Sequence, residues 1–185
     1  MKLRSLVSAV ALAVASTSAL AEDLVIGAPV SLTGVYAFVG KAAVRGMELA
    51  VDEVNASKEL GGDRRFKLLV EDDGSNNNQA ITLVNKFATS EKALAIAGPT
   101  ASATVLAVSP AVNQQQIPML GIAVSQAVNA AGPWSNRVLN SPPVLMEALA
   151  DYFMTKYKPK TVMTVASRDN DGAAAQTTVV RKLLQ

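Results

Sequence analysis

The chain contains no cysteine and no histidine. Without cysteine there is no disulfide, no thiolate metal site, no cysteine nucleophile and no lipid-attachment cysteine at the end of a leader. Without histidine there is no Ser/His pair, no imidazole metal ligand, and no side chain that titrates near neutrality unless burial tunes another group. Most hydrolytic mechanisms of an exported enzyme fall with these two residue types. The carboxylate or Ser/Lys chemistry that remains finds no G-x-S-x-G turn to support it. An excess of charge is missing as well. Lys2 and Arg4 belong to an N-terminal leader, and without them the 17 basic residues fall to 15, matching the 15 acidic ones. A neutral mature chain carries no basic footprint for nucleic acid or for an anionic membrane surface.

A long hydrophobic run is also absent. Leu6 to Ala15 is apolar, but a spanning helix needs about 20 such residues. Preceded by Lys2 and Arg4 and followed by Ala19, Leu20 and Ala21, the run has the three parts of a cleavable export signal, so residues 1–21 are expected to be removed and the mature chain to begin at Glu22 and be soluble. The whole sequence is 50% hydrophobic and 17% charged, a globular composition with ample apolar material for a core.

Strand and helix signals alternate along it. Leu24 to Val30 predicts a strand that ends in a Ser31 to Gly34 loop, and Lys41 to Asn55 predicts a helix with Ala43, Met47, Ala50, Val51 and Val54 at helical spacing. Phe66 to Val70 predicts a strand and Asn76 to Ser90 a helix facing inward through Ile81, Val84, Phe87 and Ala88. Ala93 to Ala97, Ala101 to Gln115 and Ile117 to Leu120 read as strand, helix and strand, with Pro110 marking a kink or break. Such βαβ alternation predicts a parallel sheet with helices on both faces, and ligands at the carboxyl ends of the strands. Four loops stand there: Ser31 to Gly40, Asp72 to Ser75, Gly98 to Ser102, and Gly121 to Ser125. After a looser stretch from Asn129 to Asn136, Arg137 to Asn140 reads as a linker strand, Pro142 to Tyr157 as a helix, Thr161 to Ala166 as a strand, and Gly172 to Gln185 as a helix with no cap signal after it. A single strand and two helices cannot cover a sheet of their own, so an incomplete second unit is expected.

Several near-motifs have structural explanations. Gly34 to Ala42 is one residue too long for a P-loop and places Ala42 where a metal-binding hydroxyl belongs. Asp169 to Gly172 opens like a calcium loop, yet Val180 stands at the twelfth position, and a capped turn accounts for it. Glu71, Asp72 and Asp73 offer carboxylates for acid/base work or, equally, for turns and caps. Asn55, Ala56 and Ser57 form a glycosylation sequon at a helix end. The Gly98 to Ser102 loop is a better candidate, because backbone N–H groups and a helix dipole at a strand's end favour a carboxylate; Thr100 or Ser102 can also serve there as the helix cap.

Leu24 to Gly34 (LVIGAPVSLTG), Gly40 to Asn55 (GKAAVRGMELAVDEVN), Glu71 to Ala80 (EDDGSNNNQA) and Gly98 to Ser102 before a helix resemble, in order and spacing, the periplasmic binding proteins of branched-chain amino acid ABC transporters. That resemblance implies an α/β, type I periplasmic-binding-protein-like fold of two lobes: residues 22–136 as the first lobe, and 137–185 as the crossing and start of a second, incomplete one. It implies a solute-binding component and no enzyme, with no cofactor and no metal. Its partners would be a small amino acid or related carboxylate or amide and a membrane permease, with no nucleic acid, in the periplasm, as a monomer when complete. The family's carboxylate-binding hydroxyls and amides fall on Thr100 to Ser102 and on Ala123 to Ser125, with Ala101 in place of the first of two serines. The family's first-loop aromatic aligns with Val39, beside Tyr36 and Phe38; the second-lobe aromatic aligns with Asp171, and the acid that holds an amine falls beyond Gln185. A sensory receptor's ligand-binding domain, or a small secreted enzyme using Asp72 or Asp73, are the alternatives.

Overall fold

The computed structural model describes residues 23–61, 63–167 and 170–184; the expected leader lies outside them. Among the described residues five strands form one parallel sheet: β1 (Asp23–Val30), β2 (Arg65–Asp72), β3 (Ala95–Thr100), β4 (Met119–Ile122) and β5 (Ser135–Arg137), in the order β2-β1-β3-β4-β5. The helices between them are α1 (Ala37–Ser57), α2 (Asn77–Thr89), α3 (Ser102–Gln115) and the short α4 (Ala127–Ala130), followed by α5 (Pro142–Tyr157) and α6 (Asp171–Leu183). From β1 the chain steps outward to β2, then back across β1 to β3 and on to β4. With right-handed crossovers this reversal puts α1 on one face and α2 and α3 on the other.

The two faces are covered unequally. Ala80, Leu83, Val84 and Phe87 of α2 and Val105, Val108 and Val112 of α3 are buried with Ile96 and Met119 of the sheet. Phe87 is fully buried over Gly27 of β1, where an added Cβ would come within 2.5 Å of the ring. Burial of a side chain of that size is worth about 3–5 kcal/mol against alanine. On the other face the only buried residue of α1 is Gly40, whose missing Cβ lets the helix settle on the Ser31 carbonyl; a methyl there would lie 2.0 Å from that oxygen.

Several boundaries differ from those expected. α1 begins at Ala37 rather than near Lys41, taking Phe38 and Val39 into its first turn. No cap side chain fixes that start; Gly34 turns the chain at φ 78° and the Tyr36 amide donates to Ser75 Oγ. β3 runs on through Gly98, Pro99 and Thr100. α3 continues through Pro110 unbroken. The strand expected over 137–140 sits earlier, at Ser135–Arg137, because it pairs with β4 from Met119↔Ser135 to Gly121↔Arg137. Thr161 to Ala166 forms no strand; a strand needs a ladder partner, and no described strand lies beside this segment. α5 and α6 pack on each other, and α6 also reaches α3.

Candidate functional site

Reversal of strand order occurs between β1 and β3, and in open parallel sheets the crevice at that point is where ligands settle. The two loops that leave it are the first loop, from Ser31, and the turn at Ala101. They are joined directly: the Ser31 amide donates to Thr100 Oγ1 at 3.5 Å. A cleft of about 410 Å³ opens here, lined by Val35, Tyr36, Phe38 and Val39 from the first loop and α1, by Thr100 to Ser102 and Ile122 to Val124 from the strand ends, and by Leu139, Asn170, Gly172, Ala173 and Gln176 from the later segment.

Hydrogen bonding gives its hydroxyls a direction. Ser102 Oγ accepts the amides of both Val124 and Ser125 at 3.2 Å, and Thr100 Oγ1 accepts that of Ser31. Both side chains are buried. A hydroxyl has one proton and two lone pairs, so Ser102 Oγ, with both lone pairs taken by backbone amides, has only its proton for the cleft, whereas Thr100 Oγ1 keeps a lone pair beside its proton. Neither caps α3. Its N-cap is Ala101, with no side-chain cap bond, so the first amides of α3 remain as orphan donors at the positive end of the helix dipole. Ala101 holds φ 78° and ψ 141°, a conformation that strains any residue with a Cβ by about 1–3 kcal/mol and that concentrates at functional sites.

Of the residues singled out from sequence, Tyr36, Phe38, Thr100, Ser102 and Ala123 line the cleft together. Phe38 is 77% exposed at its mouth. Ser125 does not line it: its hydroxyl turns to the start of α4 and accepts the Ala127 amide at 3.4 Å. The Asp171 side chain lies outside the described residues, although its backbone opens α6. Val124 lies in the Ala123 to Ser125 segment expected at the site, whereas Leu139, Asn170 and Gln176 carried no sequence signal for it. Leu139 and Gln176 sit in segments whose placement depends on tertiary contact; at the turn before α6 capping by Asp was expected, and the cap is instead Asn170, whose Oδ1 accepts the Ala173 amide at 3.0 Å. Gly172 is buried where α6 meets the strand ends; an added Cβ would lie 2.8 Å from Val124 Cγ2 and 3.4 Å from Ser102 Oγ.

The acidic run serves the loop and not the cleft. Asp72 Oδ1 accepts the amides of Leu32, Thr33 and Gly74, and its Oδ2 accepts the Thr33 hydroxyl at 2.6 Å. Desolvation works to raise its pKa, but the Thr33 hydroxyl and the Gly74, Leu32 and Thr33 amides outweigh it and hold the carboxyl below the ordinary 3.8. Asp73 is fully buried, and burial pushes its carboxyl up, aided by the Asp72 charge and opposed by bonds from Ser31 and Ser75. Neither lines the cleft, which removes the residues on which a carboxylate-dependent enzyme would rest. Asn55 of the sequon is likewise structural, exchanging hydrogen bonds with the Phe66 backbone at 2.8 and 2.9 Å. Among the described residues no group of three or more Asp or Glu is placed to hold a metal, and no helix is long and apolar enough to cross a membrane.

Residues 23–185 match the periplasmic binding protein family, and the chain belongs to it. Its likeness is to the Leu/Ile/Val type. An amino acid binding protein of Pseudomonas aeruginosa is 28% identical over 159 residues, which is 85% of this chain and 42% of the relative. A Leu/Ile/Val-binding protein homolog of Brucella suis is 37% identical over 120 residues, 64% of this chain and 29% of the relative. The chain thus spans less than half the length of these curated relatives. Among solved structures, the branched-chain amino acid transporter substrate binding protein LivJ of Streptococcus pneumoniae, in complex with isoleucine, superposes with a TM-score of 0.78 at 22% identity, covering 87% of this chain and 46% of that one. A solute binding protein of an ABC transporter from Rhodopseudomonas palustris, in complex with 4-hydroxybenzoate, superposes with a TM-score of 0.75 at 21% identity, covering 87% and 43%. These are binding proteins, not enzymes.

Proposed function

We propose that this chain supplies the first lobe and the start of the second lobe, residues 22–136 and 137–185, of an exported solute-binding protein that takes a small carboxylate and delivers it to the permease of an ABC transporter. One observation carries the reading. Ser102, at the switch point of the sheet, is a hydroxyl whose two lone pairs are already occupied by backbone amides, so a ligand that meets it must bring an acceptor of its own. A carboxylate does this, and the α3 N-terminus beside it adds orphan amides and a favourable dipole.

The rest of the cleft describes the ligand's body. Val35, Tyr36, Phe38, Val39, Ile122 and Leu139 are apolar or aromatic, and no charged side chain stands among its described lining residues. At the α6 end the polar groups are the neutral amides of Asn170 and Gln176. That combination suits a carboxylate with an apolar or aromatic body. Relatives of the same fold hold isoleucine in one case and 4-hydroxybenzoate in the other. The export signal supports delivery to the periplasm, where the ligand would be passed on.

Titration calorimetry with leucine, benzoate, leucinamide and benzamide tests the proposal. At least one acid should bind more tightly than its own amide. Equal binding of each acid and its amide would refute carboxylate recognition.

A further inference from the structure

Nothing in its backbone obliges residue 172 to be glycine. It is the second residue of α6, in helical conformation, where glycine costs up to about 1 kcal/mol against alanine. What glycine provides is room. The residue is buried, and an added Cβ would lie 2.8 Å from Val124 Cγ2 and 3.4 Å from Ser102 Oγ. The missing side chain lets the first turn of α6 come down on the loop after β4 and on the hydroxyl of the first residue of α3. Two helix N-termini therefore meet in the cleft, α3 from the strand ends and α6 from the later segment.

Both helix starts have donors left over. The first amides of α3 meet no capping side chain. At α6 the Asn170 side chain takes the Ala173 amide at 3.0 Å, and the Asn170 carbonyl takes that of Ala174 at 2.9 Å, so the Gly172 amide has no acceptor among the described residues. Beside it stands Ser102 Oγ, 5% exposed. Its lone pairs hold the Val124 and Ser125 amides, and its proton goes to no described residue. A buried hydroxyl in that state calls for an acceptor from outside the chain. The Gly172 nitrogen is two bonds from the missing Cβ, which places it within about 6 Å of Ser102 Oγ. One oxygen that accepts at about 2.9 Å from each side spans that gap.

We propose that the Gly172 amide is a ligand-contact group that donates to the same carboxylate that takes the Ser102 proton, so that the ligand ties α6 to the end of the sheet. This rests on the carboxylate reading above. The positive ends of two helix dipoles face one place, and no charged side chain among the described lining residues competes for it. A carboxylate brings acceptors alone, whereas a neutral amide brings N–H groups that neither Ser102 nor the two helix starts can accept. Glycine at 172 is then a specificity determinant that acts through its backbone, which is why its residue type gives no sign of the role.

Replacing the Gly172 amide by an ester, through semisynthesis of the full chain, removes the donor and adds nothing to the wall. Calorimetry with the benzoate/benzamide and leucine/leucinamide pairs should then show an acid-to-amide affinity ratio lowered about tenfold, the effect expected for one hydrogen bond to a charged group. An ester at Ala174 deletes a bond of α6 at a residue outside the cleft lining; it should lower Tm and leave the ratio within about twofold. Gly172→Ala decides the matter should the ester chain fail to fold. Its methyl meets Val124 Cγ2 and should lower the ratio, and Val124→Ala in the same chain should restore it by reopening the space. A glycine that served packing alone would lose stability in Gly172→Ala with the ratio unmoved. An unchanged ratio in the Gly172 ester overturns the inference, as do an equal fall with the ester at Ala174 and, where Gly172→Ala decides, a ratio that stays fixed or that Val124→Ala does not restore. If Ser102→Ala lowers the ratio and the Gly172 ester does not, the carboxylate reading stands and this inference alone fails. If the unsubstituted chain prefers neither acid to its amide, both fall.

Discussion

Replacing Ser102 by alanine separates the two serines that the sequence placed at the site. The Ser102 hydroxyl lines the cleft and accepts two amides at 3.2 Å, and under the proposed function its proton goes to the ligand. A hydrogen bond to a charged group is worth about 1.5–3 kcal/mol, so the Kd for a carboxylate should rise roughly 10- to 150-fold at about 1.4 kcal/mol per decade. The same substitution strips the buried Ser125 amide of its acceptor, and an orphaned buried donor costs about 1–3 kcal/mol. For a chain of this size that lowers Tm by about 2 to 12 °C. Ser125→Ala removes only the 3.4 Å bond from the Ala127 amide, at a hydroxyl outside the cleft, so its effect on Kd should stay below about threefold. Titration calorimetry and thermal melts on the chain and both variants give all four quantities. A Ser125→Ala variant that binds as weakly as Ser102→Ala would place the carboxylate elsewhere. So would a Ser102→Ala variant whose Tm falls while its Kd stays fixed.

Four further outcomes are expected. Ala101→Gly relieves the strained φ of 78° and should raise stability by about 1 kcal/mol or more while weakening ligand binding through a looser turn; chemical denaturation beside calorimetry would show both, and a tighter-binding variant would contradict the role given to that strain. Gly27→Ala drives a methyl to 2.5 Å from the Phe87 ring and should cost about 1–3 kcal/mol, part of which Phe87→Leu should recover in a double-mutant cycle; strict additivity would mean that the two do not meet. The acid pair should give stability an optimum in mild acid, followed by calorimetric Tm against pH. Burial raises the Asp73 pKa, so its native form binds the extra proton and stability rises as pH falls through that raised value toward 3.8. Hydrogen bonds lower the Asp72 pKa, so its contribution is whole above 3.8 and lost as pH falls through its depressed value; Asp73→Asn should remove the first effect and leave the second. Exported protein should begin at Glu22, and N-terminal sequencing that finds Met1 would overturn the leader.

Elements with strong local signals were legible in the sequence. α2 shows its apolar spacing and its cap, with Asn76 Oδ1 accepting the Asn78 and Gln79 amides, and β1 and β2 carry compact apolar runs. The alternation of strands and helices was enough for a parallel sheet, and hence for a site at the strand ends. What escaped was set by contact between distant residues. The start of α1 depends on Ser75, 39 positions from Tyr36, and no local cap marks it. Ser125 had the residue type and loop position of a ligand contact, but its rotamer turns to α4. Ser102 looked equally like a cap, and only the approach of the β4 loop makes its hydroxyl an acceptor for Val124 and Ser125. The aspartates at the end of β2 could be read as catalysts or as turn residues, and the loop lying across them from Ser31 to Thr33 decides for the turn.

The cleft is built from two kinds of material with different tolerance to substitution. Its hydrogen-bonding frame is made of backbone amides at strand ends and the two hydroxyls that accept from them, all locked to the sheet. Its walls are side chains on an exposed helix start and on segments that lie over the sheet: Val35, Tyr36, Phe38 and Leu139. Exchange of a wall residue touches no ladder bond and no buried donor. With the carboxylate held as proposed, a lineage built on this plan can drift from one carboxylate to another by a few surface substitutions at little cost in stability, while a change in the ligand's charged group requires rebuilding the end of the sheet.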